Sequence, residues 1–239
     1  LSNGFNGVAR WSPDGTEIAV AASDSIEGGI YLMNADGSNR RPITSTGGVP
    51  RDFHVFPVWT PDGQWIAFYN DPGPGSATYM VRRDGTGLVR LPALDGRFID
   101  DIGPTLSAGC ASLAPTQRGI DCYTLFYLHG DASGQITIRS IRGDGTGQRV
   151  LIATPAYYTH VRVSPDGRKI AYAKFLGSNA GPKGPSTRIF VATITSNPVR
   201  EPSAPISSGG DEYHEYPVWS PDGSQIAYVN DVIPNFGGG

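Results

Sequence analysis

The sequence predicts an all-β chain, a β-propeller of four-stranded antiparallel blades with about five repeats present and the last one incomplete. Three observations carry this reading: a recurring turn string, a near-constant interval between its copies, and apolar alternation with a period of two on either side. Ser-Pro-Asp-Gly stands at Ser12-Pro13-Asp14-Gly15, Ser164-Pro165-Asp166-Gly167 and Ser220-Pro221-Asp222-Gly223, with Thr60-Pro61-Asp62-Gly63 as a close variant. Asp14 and Asp62 lie 48 residues apart, Asp62 and Asp166 lie 104 apart (two units of 52), and Asp166 and Asp222 lie 56 apart. A period of about 50 residues suits a radial repeat of four strands.

Each element follows from local chemistry. Pro presets φ at the second turn position, Asp bonds backbone amides of its own turn, and Gly accepts the positive φ that closes the hairpin. Before the turn comes a short apolar strand, Pro57-Val58-Trp59 or Pro217-Val218-Trp219, with Trp11 in the matching place. After it comes an alternating strand: Ile18-Ala19-Val20, Ile66-Ala67-Phe68, Ile170-Ala171-Tyr172 and Ile226-Ala227-Tyr228. A third strand follows, as in Ile30-Tyr31-Leu32-Met33, Thr78-Tyr79-Met80-Val81, Ile136-Thr137-Ile138 and Ile189-Phe190-Val191. It leads to a second turn at Asp36-Gly37, Asp84-Gly85 or Asp144-Gly145, and a short outer strand such as Arg41-Pro42-Ile43-Thr44 or Arg149-Val150-Leu151 ends the unit. No segment sustains an apolar period of about 3.6 residues, so no helix is expected. The expected blades run over 6–48, 52–94, 101–154, 158–205 and, in part, 211–239, within a single propeller domain or part of one.

The string Pro-x-Trp-Ser-Pro-Asp-Gly-x-x-Ile-Ala-Phe/Tyr, followed by Ile-Tyr-x-Met-Asn-Ala-Asp-Gly-Ser, resembles the TolB-type WD40-like propeller repeat. The resemblance covers most of the chain and is specific in blades 1, 2 and 5. Blade 4 has Val163 for Trp and lacks the second Asp-Gly. Blade 3 departs most: Pro104-Thr105-Leu106-Ser107-Ala108-Gly109 fits the spacing, and an insertion through Asp121 replaces the turn. The resemblance implies a fold and an extracytoplasmic habit, with roles from periplasmic scaffolding to the non-catalytic domain of peptidases. It does not imply one activity.

Composition sets limits. The formal net charge is −3 and the pI about 5.8, so there is no basic field for nucleic acid or an anionic membrane. No apolar run approaches the roughly 18 residues of a membrane span. The absence of an initiator Met and of a leader suggests a mature, trimmed or partial chain. The third and fourth strands of the last repeat are missing from the pattern, and Asn235-Phe236-Gly237-Gly238-Gly239 does not supply them. Open strand edges are an aggregation liability, so the expectation is a longer protein of six or more blades or a partner that completes the ring, against a small five-bladed ring with one thin blade.

Cys110 and Cys122 are the only cysteines and flank the blade 3 insertion. Read as a pair, they close a 13-residue loop and fit an oxidising compartment, periplasmic or extracellular, whereas two thiols would fit the cytosol. The pair also predicts that 108–121 projects from blade 3 as an excursion. Closing such a loop contributes roughly 3 kcal/mol in the chain-entropy picture. With two Cys and no C-x-x-C, a zinc site is not expected.

Aligning blades on the inner-strand Pro gives one further constellation. Three residues before it stand Asn6, His54, Asp101, Tyr158 and His214, with Asp52, Asp100, Asp211 and Glu212 nearby. Equivalent positions at the start of inner strands converge at a propeller's channel, so these five form a candidate ligand-binding mouth. Two imidazoles and a carboxylate suit a first-row metal or polar ligand, and the competing reading is a merely solvated channel. His129 and His160 have no counterpart in that register and read as surface or strand-edge residues.

Other strings are turn chemistry. Arg142-Gly143-Asp144 is an RGD tripeptide in the recurrent second turn, and Gly143-x-Gly145-x-Gly147 lies in a hairpin rather than before a helix. Trp11, Trp59 and Trp219 share one repeat position and read as core between blades, while Trp65 falls in a variable, exposed position. No G-x-S-x-G or H-E-x-x-H occurs. Three functions remain. The first is a non-catalytic extracytoplasmic module, without cofactor, that binds a protein partner or further domains of its own chain. The second is the propeller of a serine peptidase whose catalytic domain lies elsewhere, and the third a metal-dependent lyase or lactonase using the channel-mouth histidines.

Overall fold

A computed structural model describes residues 5–23, 28–44, 54–70, 77–91, 103–130, 136–156, 158–176, 186–194, 199–208 and 212–232. Strands joined by turns make up most of these residues, and the fold is a β-propeller with four sheets. The first sheet runs in sequence order through β1 (Phe5–Trp11), β2 (Glu17–Ser23), β3 (Gly28–Asn34) and β4 (Arg41–Pro42). The second does the same with β5 (His54–Trp59), β6 (Trp65–Asn70), β7 (Ala77–Arg82) and β8 (Val89–Arg90). The third holds β9 (Gly103–Leu106), β10 (Tyr123–Gly130), β11 (Ile136–Arg142) and β12 (Arg149–Ala156).

The fourth sheet has five strands: β13 (Tyr158–Val163), β14 (Lys169–Phe175), β15 (Thr187–Thr193), β16 (Glu212–Trp219) and β17 (Ile226–Val232). Its β13–β14–β15 meander and the β16–β17 hairpin are antiparallel, and the two parts are joined by one parallel pair, Thr187 with Tyr213. The outer strand of the fourth repeat is supplied by a short segment: Ile206 N–H donates to the Ile189 carbonyl at 2.8 Å and Ser207 Oγ accepts from Ile189 N–H at 3.0 Å. In the first sheet Ile43 and Thr44 do the same to Ile30, so Pro205-Ile206-Ser207 repeats Pro42-Ile43-Thr44.

The turns form as the residue chemistry dictates. Asp14 Oδ1 accepts from the Ser12 hydroxyl at 2.7 Å and from Thr16 N–H at 3.0 Å, while Gly15 takes φ +69° and its N–H reaches the Ser12 carbonyl. Asp62, Asp166 and Asp222 repeat the arrangement. In the second turns Asp36, Asp84 and Asp144 bond Ser38, Thr86 and Thr146 in the same way. Hydrogen bonds to the charged form favour ionisation, and the Ser220 hydroxyl first, then Ser224, hold Asp222 at about 2.

Four of the inner strands, β1, β5, β13 and β16, share one feature that no sequence pattern announces. The register of each slips between Asn6 and Ala9, Val55 and Val58, Thr159 and Arg162, and Glu215 and Val218. Within three of these slips Phe56, His160 and Tyr216 take φ of 55°, 55° and 54°. These are β-bulges: the extra residue bends the strand and redirects the side chains that precede it. Bulky side chains rarely adopt this conformation, so sheet pairing on both sides holds it in place.

The chain divides into two compact units, residues 1–95, 104–125 and 141–148 in one and 96–103, 126–140 and 149–239 in the other. The first packs Ala19, Ala21, Ile30, Leu32, Trp59, Ile66, Phe68 and Tyr79 into one core. The second packs Phe126, Ile138, Tyr158, Val161, Ile170, Tyr172 and Phe190 into another. Phe68 stacks on Tyr79 at 5.6 Å, and in the second core Tyr172 stacks on Phe190 at 5.8 Å. Two expectations about tryptophan are corrected. Trp65 is buried (3% exposed), because the Arg82 guanidinium lies over its ring and the Arg118 carbonyl accepts from its indole N–H. Trp11, expected in the core like Trp59, is 59% exposed. No helix among the described residues is long and apolar enough to cross a membrane.

Candidate functional site

Of the five positions proposed for a channel mouth, Asn6 lies in β1 and His54 begins β5, while Asp101 falls outside the described residues. Asp52, Asp100 and Asp211 are also outside them, and Glu212 begins β16. Asn6 and His54 belong to the first unit and Tyr158 and His214 to the second. Tyr158 is fully buried at the start of β13, edge-on to Tyr172 at 5.5 Å. Its hydroxyl faces Glu201 at 3.4 Å, and Lys174 Nζ meets the same carboxylate at 2.6 Å. It therefore belongs to a closed polar cluster in the core. His214 was expected outside the strand core. It is instead buried in β16 (1% exposed), with its ring 5.0 Å from Tyr228. His160, expected to be an ordinary edge residue, occupies the bulge of β13 and stacks on Tyr216, the bulge residue of β16, at 3.9 Å. Among the described residues no three His, Cys, Asp or Glu side chains gather as a metal site requires.

The turn end of the first unit is organised by arginines. Arg83 sits in the second turn of the second sheet, where the first sheet has Ala35. It donates from Nε to Glu17 Oε2 at 2.6 Å, from Nη1 to Asp14 Oδ2 at 2.7 Å and from Nη2 to the Thr16 hydroxyl at 2.7 Å. Arg41 Nη1 takes the other oxygen of Glu17 at 2.7 Å. Burial raises the pKa of Glu17, but the two guanidinium groups outweigh it and hold the carboxyl below its ordinary value. The Ser12 hydroxyl, then Arg83 and Thr16, depress Asp14 strongly. Glu17, Arg41, Gln64, Arg82, Arg83 and Asp84 line a groove of about 340 Å³ at this end. A carboxylate or phosphate entering it meets guanidinium groups already matched by Glu17 and Asp14, so the groove reads as a seam between blades.

The blade 3 insertion builds a second clamp. Cys110 and Cys122 are joined in a disulfide with Cα atoms 5.6 Å apart. Three 3₁₀ turns, Ala108–Cys110, Pro115–Gln117 and Ile120–Cys122, carry the chain between β9 and β10. The expected excursion is present, with 111–117 exposed, but its second half folds back onto the second sheet. Arg118 is the reason. Its Nη1 donates to Asp62 Oδ2 at 2.8 Å, and Nε and Nη2 reach the carbonyls of Cys110 and Ala111. The Tyr123 hydroxyl donates to the same Asp62 oxygen at 2.9 Å. Burial raises Asp62, yet the bonds from Arg118, Thr60 and Tyr123 prevail and its pKa falls below the ordinary value. Burial first, and then the Asp62 charge, push the Tyr123 phenol upward.

This arrangement also explains the RGD string. Gly143 stands where the second sheet has Arg83, and a Cβ there would collide with the backbone of Ile120 in the insertion. Asp144 caps its own turn through Thr146. Sequence reasoning missed Glu17, Arg83, Arg118 and Glu201. The one signal for Arg83 and Gly143 was that a turn position otherwise free to vary holds a large cation in one repeat and no side chain in the next.

Apolar side chains are exposed on both faces of the last hairpin: Val218 and Val229 (56% and 52% exposed) share one face, and Tyr228 (39%) lies on the other, beside His214. The counterparts of Tyr228 in the second and fourth repeats, Phe68 and Tyr172, are fully buried.

No protein-family model matches the chain. It is 26% identical over 222 residues to the uncharacterized protein Atu1656 of Agrobacterium fabrum, covering 91% of this chain and 67% of that one. It is 24% identical over 255 residues to dipeptidyl-peptidase 5 of Porphyromonas gingivalis, covering 92% of this chain and 36% of the peptidase, so it spans about a third of that relative. Among solved structures it matches the putative TolB of Agrobacterium tumefaciens with a TM-score of 0.62 and 19% identity, over 96% of this chain and 78% of that one. Repeated turns, meander sheets and structural match agree: in fold, this chain is a β-propeller of the TolB type.

Proposed function

We propose that the chain is a non-catalytic, extracytoplasmic propeller module that presents its surface to a protein partner. The observation that carries this reading is the fold itself, which matches the putative TolB of Agrobacterium tumefaciens at a TM-score of 0.62, and Val218, Ala227 and Val229 add one exposed apolar face on the β16–β17 hairpin. The Cys110–Cys122 disulfide supports an oxidising compartment, periplasmic or extracellular. In this reading β16 and β17 are the inner half of an incomplete fifth blade, tethered to the fourth sheet by a single bridge.

A photocrosslinking side chain at Ala227, on the same face as Val218 and Val229, in the exported protein tests the reading. A discrete adduct is expected, and Val229→Asp should suppress it. An Ala227 probe that labels nothing, or labels equally with Val229→Asp, overturns the proposal.

The likeness to dipeptidyl-peptidase 5 favours a second reading, in which the chain is the propeller part of a peptidase. A full-length gene product carrying an α/β region with G-x-S-x-G, and hydrolysing dipeptide substrates, would establish that role.

A further inference from the structure

The fourth repeat departs from the others in two places, and the departures meet. Tyr158 pairs with Lys174 at the start of the inner strand, where Asn6, His54 and His214 pair with Ala22, Asn70 and Asn230. Of these four partners only Lys174 carries a charge. The fourth repeat also lacks the second Asp-Gly turn, and its chain reaches the outer edge by a detour. Val199 N–H donates to the Leu151 carbonyl of β12 at 2.7 Å, and its side chain joins the core of Leu151, Ile152, Tyr158 and Tyr172. Ile206 and Ser207 then close on Ile189 of β15. Residues 199–207 thus form a strap from the third sheet to the fourth, with 203–206 exposed.

Glu201 hangs from this strap into a closed setting. Its Oε1 accepts from Lys174 Nζ at 2.6 Å and lies 3.4 Å from the Tyr158 hydroxyl and 3.5 Å from that of Tyr172. Its Oε2 is also 3.4 Å from the Tyr158 hydroxyl. The ammonium sits 5.7 Å from the ring centres of Tyr158 and Phe190. Both tyrosines are fully buried, and the side chains of Lys174 and Glu201 are 20% and 14% exposed. One ammonium and two phenols directed at one carboxylate make a receptor for that group, since charge-assisted bonds in an enclosed site are the strong ones. Without the strap, Lys174 would be left enclosed and lacking its counter-charge, which is costly.

We propose that Tyr158, Tyr172 and Lys174 form a glutamate-binding site that the chain fills with its own Glu201, so that the strap is an autoinhibitory plug. A glutamyl side chain of a protein partner enters when the strap lifts. The source follows from the tether. An attached Glu201 competes at high effective concentration, so a free small acid loses to it and only a partner with further contacts to the chain prevails. This rests on the module reading above and names what that partner brings.

Two measurements test the site. In the unaltered chain, hydrogen exchange should show the Val199 and Ile206 amides opening together, at least about 10-fold faster than the amides of the β14–β15 ladder. Strap amides that exchange only with that ladder mean a plug that never lifts, and overturn the proposal. In Glu201→Ala, N-acetylglutamate N-methylamide should bind at least about 10-fold more tightly than its glutamine counterpart, and adding Lys174→Met should remove the preference. Equal binding of the two probes, or of neither, overturns the site, and tighter binding of propionate than of the blocked glutamate overturns the protein-borne ligand. Circular dichroism controls for folding, and should Glu201→Ala not fold, the exchange arm decides alone. If the site fails while the Ala227 probe still yields its adduct, the plug falls and the module reading stands.

Discussion

Asp14 and Asp62 occupy the same place in successive repeats, and each is gripped by an arginine from further along the chain. The Asp14 clamp sits in water: its side chain is 49% exposed and that of Arg83 28%. The Asp62 clamp is closed, with side chains of Asp62 and Arg118 at 8% and 10%. The regular repeat supplies Arg83 from a hairpin turn. In the third repeat the disulfide-closed insertion supplies Arg118, and Gly143 vacates the site Arg83 would have taken. One electrostatic task is thus met by two unrelated pieces of chain. An exposed pair gains little from Coulomb attraction, whereas a closed pair is costly to break because it strands a charge.

The contrast is open to measurement. Arg118→Ala should cost the most, on the order of 3 kcal/mol by urea denaturation, since it leaves Asp62 enclosed without its cation. Acid adds a sign. The folded Asp62 value lies below the unfolded one of about 3.9, so its contribution is complete above about pH 4 and lost as pH falls through the folded value. Arg118→Ala should therefore flatten the acid limb of a stability–pH curve, and an unchanged limb would separate the clamp from acid stability.

Reduction of Cys110–Cys122, or replacement of both by Ser, should cost roughly 3 kcal/mol for a loop of this length. If Arg118 is held by the loop, reduction combined with Arg118→Ala should cost less than the sum of the two alone. Gly143→Ala should destabilise by about 1–3 kcal/mol through collision with Ile120, although the same change at Gly109, which has open space around it, should be nearly silent. Arg83→Ala should cost the least, about 1 kcal/mol or less, and the loss should shrink in high salt. A salt-insensitive loss as large as that of Arg118→Ala would erase the distinction between the two clamps.

Much of the fold was legible because turn chemistry is local. Ser-Pro-Asp-Gly and Asp-Gly specify their own hydrogen bonds within a few residues, and period-two alternation specifies the strands between them. The paired cysteines were legible for the same reason. The candidate ligand positions were legible only as a register. Alignment picked out Tyr158 and His214 together, but burial put one into a cluster with Glu201 and the other against Tyr228. The bulges at Phe56, His160 and Tyr216 redirect the inner strands, and three dissimilar residues in one strained conformation leave no shared letter to read.

By itself the sequence determined the repeat, its turns, the all-β class and the cysteine pair, because each depends on residues close in the chain or on their periodicity. Tertiary structure decided which equivalent residues are equivalent in environment. Trp11 and Trp59 share a motif and differ in exposure from 59% to 7%, and Trp59 owes its burial to the first sheet, whose Arg10 carbonyl accepts from its indole N–H. It also decided that Arg118, unremarked in an insertion, closes on Asp62 across 56 residues of sequence. Burial and long-range pairing are properties of what packs against a side chain, and no local pattern encodes that.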